Sequence, residues 1–168
     1  GMEKQDEDVL FGILRQIAAH PMALPLSNAA QEPGTLAHTI VQRVGATTFS
    51  NIPCWKERDL VAKLERLVLG TGAQVVVFTF FASIVPVLAA SIERAGISVA
   101  TYTGSHSQKE REANKAAFRA GEVRVLLCTD AGSRGMNLPE AQYGINYELC
   151  LTDARTKQRF SRYNRLDS

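Results

Sequence analysis

Cysteine is scarce in this chain: Cys54, Cys128 and Cys150 are all it has, odd in number and scattered. None has a metal-ligand spacing, so no disulfide framework and no metal site is expected, and the usage fits a reducing, cytoplasmic setting. Charge of one sign is also missing in bulk. Nineteen Lys and Arg stand against 17 Asp and Glu, and a net charge of +2 does not by itself argue for nucleic acid. There is no internal repeat and no low-complexity tract. No Gly-x-x-x-x-Gly-Lys-(Ser/Thr) run occurs, so no loop of this chain cradles phosphates in that way. No apolar strand ends in an Asp-Glu pair either, and Asp6-Glu-Asp8 lacks that context. The acidic N-terminus does not read as a secretory signal, and Gly1-Met2 reads as a remnant ahead of a native start. Val75 to Ile92 lacks any charged residue and approaches a membrane span in length. Its texture changes midway, however. Val75 to Phe81 is β-branched and aromatic, whereas Val85, Leu88, Ala89 and Ile92 follow helical spacing. A buried strand feeding a helix accounts for both halves, and no membrane partner is expected.

What is present describes an ordinary globular chain: 168 residues, 45% apolar and 21% charged, enough for one domain and a short appendage. Apolar spacing predicts a helix over 8–19, ended by Pro21. Residues 21–54, with Pro21, Pro25, Pro33 and Pro53, read as a long irregular connection with a short helix near 36–44. Leu60, Val61, Leu64, Leu67 and Val68 predict a helix over 57–69, stopped at Gly70 and Gly72. From there strands and helices alternate. Strand 75–81 is followed by helix 84–95 with Gly96 as its left-handed cap, strand 97–102, and a helix opened by a Ser107/Glu110 capping box and stopped at Gly121. Strands 123–129 and 143–149 complete the pattern. Such alternation implies an α/β fold, a parallel sheet sandwiched by helices, preceded by an N-terminal helical extension. The expected division is 1–56 for the extension and connection, and 57–168 for the sheet domain.

Ligands of such sheets sit beyond the carboxyl ends of the strands, which weights the loops after Phe81, Tyr102 and Thr129. The loop Thr129 to Leu138 is the richest: Gly132 and Gly135 permit close approach, and Asp130, Ser133, Arg134 and Asn137 offer polar contacts. A tight strand-to-helix turn is the plain, less favoured alternative. The C-terminal run Gln158 to Arg165 carries Arg159, Arg162 and Arg165. If it is helical, Gln158, Arg162 and Arg165 project within roughly 60° of one another. That edge suits a polyphosphate, since guanidinium grips phosphate bidentately; a solvated basic surface helix is the plain alternative. His20, taken alone, reads as a packing or capping residue.

Together these segments resemble the second RecA-like lobe of superfamily-two helicases and translocases, and within it the Swi/Snf family of DNA-dependent ATPases. Leu14-Arg-Gln-Ile-Ala-Ala-His-Pro21 looks like the segment preceding this lobe in Swi/Snf proteins. Phe78-Thr-Phe-Phe81 resembles motif IV, Thr129 to Leu138 motif V, and Gln158 to Arg165 motif VI. Thr103-Gly-Ser105 sits where the family has Asp-Gly-Ser or Asp-Gly-Thr. Phe80 replaces the family's Gln, Leu166-Asp-Ser168 stands in place of Ile-Gly-Gln, and Asp130 resembles bacterial, viral or DEAD-box versions rather than eukaryotic remodellers.

The resemblance implies a motor lobe whose ATP and Mg²⁺ are held mainly by an N-terminal lobe absent from these residues. Arg162 and Arg165 would be arginine fingers, Gln158 would orient them or contact phosphate, and Gly135, Asn137 and Asp130 would contact or sense the nucleotide. Thr79, Ser105, His106 and Thr129 would touch the phosphates of a duplex DNA track without reading sequence. The isolated lobe is expected to be inactive, and the chain is expected to continue past motif VI. Two rivals stand beside this reading: another superfamily-two lobe, such as a DEAD-box-like RNA helicase, and a non-catalytic protein-binding module on the same fold.

Overall fold

The computed structural model describes residues 4–129 and 136–148. Two compact units divide the chain, Gly1–Glu57 and Arg58–Ser168.

The first unit is helical. α1, Lys4–Ala19, begins before the predicted start and turns Ile13 into a small core of Leu24, Ala30, Ala37 and Phe49. Ile17, Met22, Ile40 and Val41 pack against that core. Pro21 ends α1 as expected, and His20 beside it is extended at φ −158°. The connection predicted to be irregular apart from a short helix near 36–44 contains that helix and further short ones. A 3₁₀ turn at Pro21–Ala23 is followed by α2 (Asn28–Gln31), α3 (Leu36–Val44) and α4 (Ala46–Ser50). The physical reason lies in the caps. The Ser27 hydroxyl accepts the Ala30 amide at 3.2 Å and the Thr35 hydroxyl accepts the His38 amide at 3.0 Å. Each satisfies a donor that a helix start would otherwise leave orphaned. The prolines and glycines therefore separate these helices without abolishing them.

α5, Trp55–Leu64, buries Leu60, Leu64 and Val68 at four-residue intervals, and its last turn, Glu65–Leu69, widens to π-helical spacing. The second unit then forms a four-stranded, wholly parallel sheet in the order β2-β3-β1-β4. The strands are β1 (Val75–Thr79), β2 (Val99–Tyr102), β3 (Val125–Thr129) and β4 (Tyr143–Asn146). Between them run α6 (Val85–Arg94) and α7 (Gln108–Arg119). This is the RecA-like helicase C-terminal lobe architecture expected from the sequence.

Every residue of β1 and β3 is buried, as a central parallel strand requires, since both of its faces are covered. Val76, Phe78, Leu126 and Cys128 face a cluster with Tyr102, Phe118, Met136 and Leu138. Val75, Val77, Val125 and Leu127, of opposite parity, are equally buried. α7 begins in the predicted capping box: the Ser107 hydroxyl meets the Glu110 amide while the Glu110 carboxylate accepts the Ser107 amide at 2.8 Å. Gly96 and Gly121 close α6 and α7 at φ +76° and +74°, angles that a side chain resists.

The strands are shorter than the sequence suggests. β1 ends at Thr79, where the amide of Phe80 meets a side chain, the carboxylate of Glu148.

Candidate functional site

Parallel pairing carries Thr79 beside Thr129 at the carboxyl edge of the sheet. Four polar residues are buried along that edge: Thr79, Thr103, Thr129 and Glu148. Buried polar groups persist only where hydrogen bonds satisfy them. Glu148 Oε1 accepts the Thr79 hydroxyl at 2.7 Å and Oε2 accepts the Phe80 amide at 3.0 Å. The same Thr79 oxygen accepts the Phe81 amide at 3.3 Å.

Past β2 the loop Thr103–His106 folds on itself. The Thr103 hydroxyl lies 2.8 Å from that of Ser105, and His106 Nδ1 accepts the Thr103 amide at 3.2 Å. A neutral His106 therefore carries its proton on Nε2, 3.4 Å from the Thr101 hydroxyl. Thr101, Thr103, Ser105 and His106, with Ala82 and Pro86, line a cavity of about 210 Å³. Ser105 is exposed and His106 half-buried. On α7, Arg111 gives one Nη2 bond to Gln108 Oε1 at 2.8 Å, while its buried Nε–H has no acceptor among the described residues.

The family described as the helicase conserved C-terminal domain matches residues 59–167. The chain belongs to it. Among curated relatives, the DEAD-box ATP-dependent RNA helicase 21 of Oryza sativa subsp. japonica is 30% identical over 100 residues, 59% of this chain and 14% of that protein. Among solved structures, the E. coli DEAD-box protein SrmB, crystallised with the regulator of ribonuclease activity A, superposes with a TM-score of 0.61 at 25% identity. That match covers 67% of this chain and 65% of that one. The C-terminal part of the Fun30 ATPase domain matches with a TM-score of 0.66 over 99% of this chain and 69% of its own, a likeness of fold at 14% identity. The chain thus spans a small part of the rice relative's length. It is the C-terminal lobe of a superfamily-two helicase.

Within this helicase C-terminal domain the expected site residues are partly brought together. Thr79 and Thr129 adjoin across β1 and β3, and Ser105 and His106 share one loop. Thr79 is fully buried and spends its hydroxyl proton on Glu148, so this side chain does not present a donor to a phosphate. Asn137 is half-buried, and its carbonyl accepts Arg119 Nη2 at 3.0 Å, an arginine that also pairs with Glu140 at 3.4 Å. Asp130, Gly135, Gln158, Arg162 and Arg165 lie outside the described residues.

Two arrangements had no signal in the sequence. One is Glu148, whose partners are far away in the chain. The other is a trio in the helical unit, His20, Cys54 and Glu57, whose donor atoms all lie within 4.8 Å of one another. His20 Nε2 stands 2.9 Å from Glu57 Oε2, and Nδ1 accepts the Met22 amide at 3.0 Å, capping the 3₁₀ turn. With Nδ1 so occupied, the neutral ring holds its proton on Nε2, which donates to Glu57 instead of offering a lone pair to a cation. The trio thus reads as a hydrogen-bonded latch. Burial, the largest influence on His20, lowers its pKa, but the hydrogen bonds and charges of Cys54 and Glu57 outweigh it and the net direction is upward.

Proposed function

We propose that this chain is the second motor lobe of an ATP-dependent RNA helicase of the DEAD-box kind. The observation that carries the choice of RNA is the group of relatives named as RNA helicases. They include the rice protein and a pre-mRNA-splicing helicase PRP28 of Cryptococcus neoformans, 28% identical over 91% of this chain. The carboxyl-edge geometry supports it. The exposed Ser105 and the half-buried His106 form a polar border suited to a sugar-phosphate backbone. In this reading Ser105 and His106 touch RNA, and the ends of β1 and β3, at Thr79 and Thr129, hold that rim in place.

ATP, bound with Mg²⁺ mainly by a companion lobe, supplies the phosphoanhydride whose hydrolysis drives the cycle. Arg162 and Arg165 present guanidinium groups to its phosphates and Gln158 orients them, while Asp130, Gly135 and Asn137 border the nucleotide. Asn137 fits that place: Arg119 takes its carbonyl, and its side-chain amide is not used by that bond. Phosphoryl transfer depends on positioning and charge neutralisation, so a lobe bearing fingers but no phosphate cradle contributes half of a site.

A second reading is favoured by one observation. The Fun30 fold covers 99% of this chain, helical unit included, whereas the SrmB match covers 67%. That supports a Swi/Snf-like lobe on duplex DNA.

Titrating the isotope-labelled chain with a single-stranded RNA oligonucleotide tests the RNA reading. The amides of Ser105 and His106 should move, with a response that weakens as salt rises. Equal movement with duplex DNA, or movement elsewhere only, counts against it.

A further inference from the structure

We propose that Glu148 is a positioning residue that fixes the exit of β1 for nucleic-acid binding; this rests on the reading of the lobe as an RNA-dependent motor. The backbone ladder between β1 and β4 runs from Val75–Tyr143 to Phe78–Asn146, and its last rung among the described residues is the Tyr147 amide on the Phe78 carbonyl at 2.9 Å. Next to that rung the Glu148 carboxylate reaches the exit of β1. It accepts the Phe80 amide directly at 3.0 Å and the Thr79 hydroxyl at 2.7 Å, and through Thr79 it holds the Phe81 amide. Three donors of the β1 exit are thereby fixed by one side chain that is 6% exposed.

A buried carboxylate is a costly way to end a strand. Desolvating it is unfavourable unless donors converge on it, and an amide or hydroxyl could have satisfied Thr79 alone. What the carboxylate adds is two acceptor oxygens at once, one for a side chain and one for a backbone amide, which sets both position and direction of the turn. That turn leads straight into Ala82–Ile84, and Ala82 forms the wall of the carboxyl-edge cavity opposite Ser105 and His106. Glu148 touches no ligand in this arrangement. It acts through the Thr79–Ala82 backbone, and the chain runs on from it towards Gln158, Arg162 and Arg165.

The experiment has two arms. In the isotope-labelled chain, Glu148→Gln and Glu148→Ala are compared with wild type by amide hydrogen exchange. Phe80 and Phe81 should lose protection in Glu148→Ala, with Glu148→Gln intermediate, while the amides of the β1–β3 ladder stay protected. In the protein carrying both motor lobes, Glu148→Ala should raise the RNA concentration for half-maximal ATP hydrolysis by about tenfold, the worth of one charge-assisted hydrogen bond. The maximal rate should change far less, and Glu148→Gln should recover part of the loss. Unchanged protection at Phe80 overturns the geometric claim. Lost protection with unchanged RNA half-saturation overturns the positioning role. If wild type responds to duplex DNA and not RNA, the RNA reading fails and Glu148 is judged on the DNA half-saturation. A response to neither polynucleotide overturns both.

Discussion

Thr79 and Glu148 stand 69 positions apart in the chain and share a 2.7 Å hydrogen bond buried at the carboxyl edge of the sheet. Around that bond the end of β1, the end of β4 and the rim after β2 are arranged as one polar border. Several consequences can be measured, beginning with the core beneath it.

Phe118 is fully buried on α7 against Val76, Phe78, Leu126 and Cys128. Phe118→Ala should destabilise the sheet unit by about 3–5 kcal/mol, from lost transfer energy and an unfilled cavity. Urea unfolding checks this, and a cost within error of zero would mean the cluster is not packed as described.

The capping box of α7 makes a pH-dependent prediction. Hydrogen bonds from the Ser107 hydroxyl and amide hold the Glu110 carboxyl below its usual value of 4.5. A depressed folded-state pKa contributes stability above the unfolded value, and that contribution is lost as pH falls through 4.5 towards the folded value. Glu110→Gln should therefore flatten the acid side of the stability profile in that window. Ser107→Ala should weaken the helix by about 1 kcal/mol, read by thermal melts at neutral pH.

The His20–Glu57 latch has the opposite sign. Its folded pKa lies above 6.5, so its pH-dependent stabilisation is fully present below that unfolded value and is lost as pH rises through the folded one. Glu57→Gln should cost more below pH 6.5 than on the alkaline side of the folded pKa, since only the protonated ring gains from the carboxylate charge. Denaturant midpoints of the two proteins across that range test it. Zinc should leave the wild-type midpoint unmoved, because the Met22 amide keeps the proton on the nitrogen facing Glu57.

How much of this was legible in the sequence follows from how local each feature is. β1 and β3 announce themselves as β-branched or apolar runs between glycines and polar turns, and Ser107, Glu110, Gly96 and Gly121 mark helix ends by chemistry acting over three or four positions. Helices as short as Asn28–Gln31 and Ala46–Ser50 complete little more than one turn, so no apolar period develops. Their N-caps, Ser27 and Gly45, look like loop residues. The π-helical last turn of α5 left no mark, because its apolar positions keep helical spacing. Glu148 with Thr79, and His20 with Cys54 and Glu57, are associations made by the fold across long separations. Residue type alone could not pair them.

If Arg162 and Arg165 act as fingers, Arg162→Ala or Arg165→Ala in the protein with both lobes should cut polynucleotide-stimulated ATP hydrolysis by about 10³-fold or more. Polynucleotide affinity should change much less. A near-wild-type rate in both variants would remove them from the mechanism.

The central claim is that this lobe serves an RNA-dependent motor. Its most direct test is ATP hydrolysis by the protein carrying both lobes, with single-stranded RNA and duplex DNA titrated at matched ionic strength. The account predicts strong stimulation by RNA, falling as salt rises, with little response to duplex DNA. Stimulation by duplex DNA with none by RNA would contradict it and return the lobe to the Swi/Snf-like reading.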